Sequence, residues 1–238
     1  MLYHSITEPP RQEIVSIVDS QYGFSHLNLD IPEEELSIFN ELSIKYNSQK
    51  NIFGSLEDLK LEAPLFLESI GFDLKQEVLV ACSDYIYKIA NKVLTASQKT
   101  DAWFLLKSTC KTDAFDVPRW HFDGYYFLDL KREKAQVRFV TTLQGSSTIF
   151  CCIPIFDEQT RRTIHTNMEN RLFIAEVCSA YPQVYYSRGQ GVFFLASDFK
   201  KGAIHTEPPT KENRLFFSIV PCDASDLNKI KKRILETY

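Results

Sequence analysis

The sequence predicts an α+β fold: a mostly helical layer over residues 1–100, a roll of short strands over 101–222, and a closing helix over 223–238. Three observations lead there. Apolar residues step by three and four in the first part, as on one face of a helix. Aromatic and β-branched residues gather in short runs between turn residues in the second part. No internal repeat and no low-complexity linker divides the chain, so residues 1–238 are expected to form a single domain.

Pro32 followed by Glu33, Glu34 and Glu35 opens the first helix, because proline suits the first turn and acids suit its positive end; that helix is expected to reach about Tyr46. Val78, Cys82, Ile86, Ile89 and Val93 form one apolar stripe and predict a second helix from Lys75 to Ala96. Strands are predicted at Ala102–Thr109, Trp120–Leu128, Gln136–Leu143, Thr148–Ile153, Val184–Tyr186, Gly191–Leu195, Gly202–Thr206 and Arg214–Val220. Gly145-Ser146-Ser147, Arg188-Gly189-Gln190-Gly191 and Pro208-Pro209 supply the turns between them. Asp157 to Ala180 is ambiguous, its middle reading as helix or as an inserted loop. About eight short strands suit a double-stranded β-helix, the jelly-roll or cupin-like arrangement. The helical layer would cover its outer face. Asp223 to Leu235 is expected to be a helix capped by Asp223 or Ser225.

Composition narrows the function. The chain has 238 residues, 44% hydrophobic and 24% charged, ordinary values for a protein with a full core. Its 18 Phe and 11 Tyr suit strands and pocket walls. A net charge of −4 argues against a nucleic-acid partner. The basic cluster Lys229, Lys231, Lys232 and Arg233 reads as the solvated face of the last helix. No apolar run is long enough to span a bilayer, and no basic segment precedes an apolar one at the N-terminus. No membrane partner is expected, and the chain is placed in the cytoplasm or on an export route without a cleavable signal. The six cysteines form no C-x-x-C pair and read as free thiols in a reducing compartment.

The five histidines fall unevenly, with His4 and His26 in the first part and His165 in the ambiguous segment. His121 and His205 lie in or beside predicted strands. In His121-Phe122-Asp123, residues two apart on a strand share a face, so the imidazole and the carboxylate would enter the barrel together while Phe122 points out. The competing reading makes Asp123-Gly124 a hairpin turn and His121 a core residue. With His205 from a late strand, the three groups would form a triad of two histidines and one carboxylate, which suits Fe(II) with positions left open. Arg214, nine residues after His205, would return on the next strand and present a fork for a carboxylate. Ser218 lies on the same strand face and would add a hydrogen bond to it. Tyr125 shares the expected face of His121 and Asp123, Tyr126 would face outward, and Trp120 would anchor the helical layer. Arg138, Thr142 and Gln144 would form a polar wall, Arg138 needing an anionic partner that is either a substrate carboxylate or an acid of the chain.

His121-Phe122-Asp123, His205 and Arg214 in Glu212-Asn213-Arg214-Leu215-Phe216-Phe217-Ser218 resemble, in kind and order, the pattern of the Fe(II)/2-oxoglutarate-dependent dioxygenase superfamily. Gly189-Gln190-Gly191-Val192-Phe193-Phe194 resembles the glycine turn and strand that come before its distal histidine. The resemblance covers about residues 102–220 and rests on motif order. It implies Fe(II) on His121, Asp123 and His205, and 2-oxoglutarate held at its far carboxylate by Arg214, with Ser218 and Tyr125 as further contacts. It also implies release of succinate and CO2 with oxidation of a substrate C–H bond. A small molecule is the favoured substrate, and a protein side chain remains open. A cupin-like metalloenzyme without 2-oxoglutarate and a non-catalytic binding module are the alternatives.

Overall fold

A computed structural model describes residues 20–71, 74–112, 117–126 and 136–237. In chain order these form β1 (Phe24–Asn28), α1 (Glu33–Leu36) continued by a 3-10 turn (Ser37–Glu41), β2 (Ser48–Gly54), α2 (Leu56–Ile70), α3 (Gln76–Ser97), β3 (Asp101–Thr109), β4 (Gln136–Gln144), β5 (Ile149–Cys151), α4 (Glu158–Thr166), α5 (Arg171–Ser179), β6 (Gln183–Tyr185), β7 (Gln190–Ala196), β8 (His205–Thr206), β9 (Arg214–Cys222) and α6 (Ala224–Thr237). Among the described residues the strands make two antiparallel sheets, one ordered β1-β7-β4-β9-β3-β2 and one ordered β6-β5-β8.

The large sheet is buried on both faces at its centre. On β9, Leu215, Phe217 and Ile219 join a core shared with Leu59, Leu67, Ile86, Ile89 and Val93 of α2 and α3. Phe216 points the other way, into a second core with Val140 of β4, Phe150 of β5, Phe194 of β7 and Ala203. This strict alternation is what a strand packed between two layers requires. Helix α2 starts at a capping box in which Ser55 and Asp58 satisfy each other's backbone N–H.

The first hundred residues are not only helical. They also supply β1 and β2, the two edges of the large sheet. β2 reads Ser-Gln-Lys-Asn-Ile-Phe-Gly, a polar edge strand paired on one side only, so it carries little of the apolar alternation that marks a strand. The helix expected to reach Tyr46 gives way to a 3-10 turn after Leu36, and Leu42 is already extended. The ambiguous segment becomes α4 and α5. Of the expected strand Trp120–Leu128, residues 127 and 128 lie outside the described residues, and His121 alone makes a bridge among the rest. His4 also lies outside. All six cysteines are free. No described helix is long and apolar enough to cross a membrane.

Candidate metal centre

His121 and His205 face each other as a single antiparallel bridge. The His121 N–H donates to the His205 carbonyl at 2.9 Å, and the His205 N–H donates back at 3.2 Å. Their rings lie 4.3 Å apart, centre to centre. Each imidazole is oriented by its own chain: Nδ1 of His121 meets the carbonyl of Arg119 at 2.8 Å and Nδ1 of His205 meets that of Ala203 at 3.2 Å. A carbonyl only accepts, so each Nδ1 carries the proton and each Nε2 presents a lone pair. Both lone pairs aim at Asp123 Oδ1, from 3.6 Å for His121 and 3.3 Å for His205.

Asp123 divides its oxygens. Oδ1 faces the two imidazoles. Oδ2 accepts from the Tyr126 hydroxyl at 2.7 Å and from Arg138 Nη1 at 2.7 Å. Arg138 Nε also donates to Ser218 Oγ at 2.5 Å. Trp103 packs on both donors to Oδ2, with its ring 5.5 Å from that of Tyr126 and 5.7 Å from the Arg138 guanidinium. The anion that buried Arg138 requires is thus an acid of the chain, and it is the carboxylate of the triad itself.

Several side chains lie elsewhere than alternation predicts. Tyr126, not Tyr125, reaches Asp123; the Tyr125 hydroxyl accepts from Ser197 Oγ at 2.9 Å. The cause is Gly124, whose φ of +68° turns the chain through a left-handed residue, so the step between inward side chains is three and not two. Gly124 thus breaks the alternation as a left-handed residue, and Asp123 is still one of the three converging groups. Trp120 packs with Ile149, Ile153, Ile164 and Ile204 under α4 and α5, not with the N-terminal helices. Ser218 Oγ accepts from Arg138 Nε, which leaves its own O–H as a donor. Gln144 leaves the inner face because a bulge between Thr142 and Gln144 reverses the alternation, and its amide donates to the Leu42 carbonyl at 3.3 Å. Arg138 and Thr142 keep the inner face.

Arg214 is 5% exposed. Its Nε donates to the Ser146 carbonyl at 2.9 Å and its Nη2 to Thr148 Oγ1 at 3.0 Å. Its guanidinium stacks on Phe216 at 4.7 Å, and Arg138 flanks the same ring at 5.9 Å. Among the described residues no carboxylate pairs with Arg214; Glu207 acts on it only at longer range. Beside Thr148 lies a small cavity lined by Val140, Thr142, Thr148, Phe150 and Tyr186. The buried Thr142 hydroxyl, on its wall, has no hydrogen-bond partner among the described residues. The signals for Thr142 and Thr148 in the sequence are hydroxyls on otherwise apolar strands, but only the fold shows which of them meets Arg214.

Electrostatics agree with the geometry. Burial alone would raise the Asp123 carboxyl, but the Arg138 guanidinium outweighs it and holds the group well below the usual carboxylate range. Burial, helped by His121, keeps His205 below the ordinary imidazole value, against the pull of Asp123. Burial and the Asp123 charge push the Tyr126 phenol well up, so it stays a donor. Burial lowers Arg214 to about 10, which leaves it charged at neutral pH.

Three electron-pair donors within 4.8 Å of one another repel unless a cation lies among them. Ligands bound at about 2.1 Å in adjacent positions stand about 3 Å apart, close to the separations at Oδ1. Two neutral imidazoles and one carboxylate with its second oxygen already occupied fit a divalent transition metal.

No protein-family model matches the chain, and no curated protein matches it. The structure is similar to several solved ones. A Pseudomonas putida prolyl-4-hydroxylase aligns at 12% identity over 88% of this chain and 98% of its own, with a TM-score of 0.42. The non-haem α-ketoglutarate-dependent epimerase SnoN from nogalamycin biosynthesis aligns at 13% identity over 91% of this chain and 84% of its own, with a TM-score of 0.45. HygX from Streptomyces hygroscopicus, with nickel and 2-oxoglutarate bound, aligns at 14% identity over 91% of this chain and 88% of its own, with a TM-score of 0.44.

Proposed function

We propose that the chain is an Fe(II)- and 2-oxoglutarate-dependent oxygenase built on a double-stranded β-helix, acting on a small-molecule or amino-acid-like substrate. One observation carries this reading. A converging set of two imidazoles and a carboxylate shares the barrel interior with Arg214, a buried guanidinium that has no carboxylate of its own among the described residues. A metal site alone would not need that cation, and burying it uncompensated is costly.

In this reading His121, Asp123 and His205 hold the iron. Arg214 binds the far carboxylate of 2-oxoglutarate, with hydroxyls of Thr148 and Thr142 beside it. With both bound, the site would supply the chemistry by which one atom of O2 oxidises 2-oxoglutarate to succinate and CO2 and the other oxidises a substrate C–H bond. The chain supplies orientation. Tyr126 and Arg138 hold Asp123 to one free oxygen, and the carbonyls of Arg119 and Ala203 fix both imidazole tautomers. Phe150, Phe194 and Phe216 wall the interior and exclude water.

The test is succinate formation from 2-oxoglutarate with Fe(II) under air, in wild type and Arg214→Ala. Wild type should form succinate, and the variant should form at least tenfold less at limiting 2-oxoglutarate, since it loses a charge-assisted contact worth about 1.5–3 kcal/mol. Equal rates in both would leave a metalloenzyme that does not use Arg214. No anaerobic Fe(II) uptake by wild type would leave a binding module.

A further inference from the structure

Arg161 sits on α4, in the segment whose sequence is ambiguous between helix and loop, and it has no solvent exposure. Its Nε donates to the Phe199 carbonyl at 2.8 Å, its Nη1 to the Ile153 carbonyl at 3.0 Å and its Nη2 to the Gly202 carbonyl. Its face lies 5.3 Å from the centre of the Phe122 ring. Asp157 and Asp198 act on it only at longer range. A buried guanidinium spent on main-chain carbonyls is a poor source of stability, and an apolar side chain of similar volume would usually serve as well. What an apolar side chain lacks is a rigid fork that ties separate pieces of backbone to one plane.

Each piece leads to the triad. Phe199 and Gly202 bracket a tight turn in which Gly202 N–H donates to the Asp198 carbonyl at 2.8 Å. A Cβ at Gly202 would lie 2.7 Å from the Ser197 carbonyl, so the turn has no slack. Three residues later the chain delivers His205. Ile153 follows β5, whose Phe150 pairs with His205 and stacks on its ring at 5.6 Å. Phe122 is the residue between His121 and Asp123. α4 itself is fastened, since Asp157 accepts from the Thr160 N–H at 3.1 Å and from the Tyr181 hydroxyl at 2.8 Å. The Phe199 ring seats on it beside Arg162 and His165, at 5.1 Å and 5.0 Å.

We infer that Arg161 is a positioning residue for the metal triad, fixing His205 relative to His121 and Asp123 from outside the barrel. The inference rests on the metal reading above. It also gives α4 a role, as the frame on which the backbone before His205 is held.

The experiment compares wild type, Arg161→Lys, Arg161→Met and Ile86→Ala. Ile86 is 0% exposed in the α3 core and serves as a control for lost stability without contact to the site. Mn(II) binding is titrated by electron paramagnetic resonance, and the visible spectrum of the Co(II) form reports ligand geometry. Both are measured at a temperature where circular dichroism shows every variant folded. Both Arg161 variants should bind Mn(II) about 10–100-fold more weakly than wild type and shift the Co(II) bands, as loss of a support behind metal ligands does. Ile86→Ala should bind like wild type. Arg161 variants that are folded and match wild type in affinity and spectrum overturn the inference and leave the metal reading intact. Wild type that takes up neither ion overturns both. Should neither Arg161 variant fold, Phe199→Leu carries the test, because it keeps all three carbonyls and loosens only the seat of the turn on α4. Unchanged Mn(II) affinity in that variant overturns the inference.

Discussion

Asp123 shows how the two oxygens of one carboxylate can serve different ends. Oδ1 faces the imidazoles, and Oδ2 is held by Tyr126 and Arg138. The two holders are not equivalent. Tyr126→Phe removes one neutral donor while Arg138 stays, and should cost about 1 kcal/mol of stability. Arg138→Met removes the counter-charge from a carboxylate whose side chain is 8% exposed, and should cost about 3–5 kcal/mol. Urea unfolding of the metal-free proteins measures both; equal losses would contradict the division. The same residues set the acid response. His205 is kept below its ordinary pKa in the folded chain, so between that lowered value and about 6.5 the unfolded chain binds the proton and the folded chain does not. Metal-free stability should therefore fall as pH is lowered through about 6.5. Asp123, depressed in the folded state, contributes stability that is complete above about pH 4 and lost below it. Urea midpoints at about pH 7.5 and about pH 5.5 check the first part; a flat or rising midpoint on acidification would rule it out.

At the scale of elements, turns and bulges decide which residues meet. Gly145, between β4 and β5, has a φ of +81°, and a Cβ there would lie 2.5 Å from the Asn213 carbonyl. The next residue, Ser146, offers the carbonyl that holds Arg214 Nε. Gly145→Ala should thus lose more than about 1 kcal/mol of stability and also weaken 2-oxoglutarate binding, whereas a turn with no part in the site would change stability alone. Isothermal titration with 2-oxoglutarate under anaerobic Fe(II) separates the two. The same devices explain what is legible in the sequence. His121, Asp123 and His205 can be read as a converging set because histidine is rare in the chain, with five in 238 residues, and their order is informative. The regular central strands can be read because both faces are buried and apolar residues fill most of each run. Alternation puts Tyr126 on the wrong face because it runs straight through Gly124, and Gln144 because it runs straight through the bulge. Neither break changes hydrophobicity, which is the quantity that alternation reads. Arg161 is invisible for another reason. Its partners are main-chain carbonyls, which every residue type supplies, so no side-chain pattern marks them.

Over the whole molecule, the two halves of the site are held with unequal strength. β9, β4 and β3 lie in the middle of the large sheet, covered by α2 and α3 through Leu59, Phe66, Ile86 and Val93, and the first two carry Arg214 and Arg138. The triad is carried by less. His121 and Asp123 come from the described segment 117–126, which joins the small sheet through the His121 bridge, and His205 comes from the two-residue strand β8. A metal on the three ligands would therefore act as a cross-link between segments that the backbone joins, among the described residues, by two hydrogen bonds. Such a ligand stabilises the folded state by about 2.7 kcal/mol when its free concentration is about a hundred times its Kd. The gain should be local as well as global. Hydrogen exchange with and without Mn(II) should show new protection in peptides covering 117–126 and 203–206, while α3, already protected by the main core, should be slowed only as far as global unfolding is. Asp123→Asn, which keeps the shape and removes the anionic donor, should abolish the local gain. Protection spread evenly over both sheets, or equal in Asp123→Asn, would mean that the ion binds somewhere other than between these two segments.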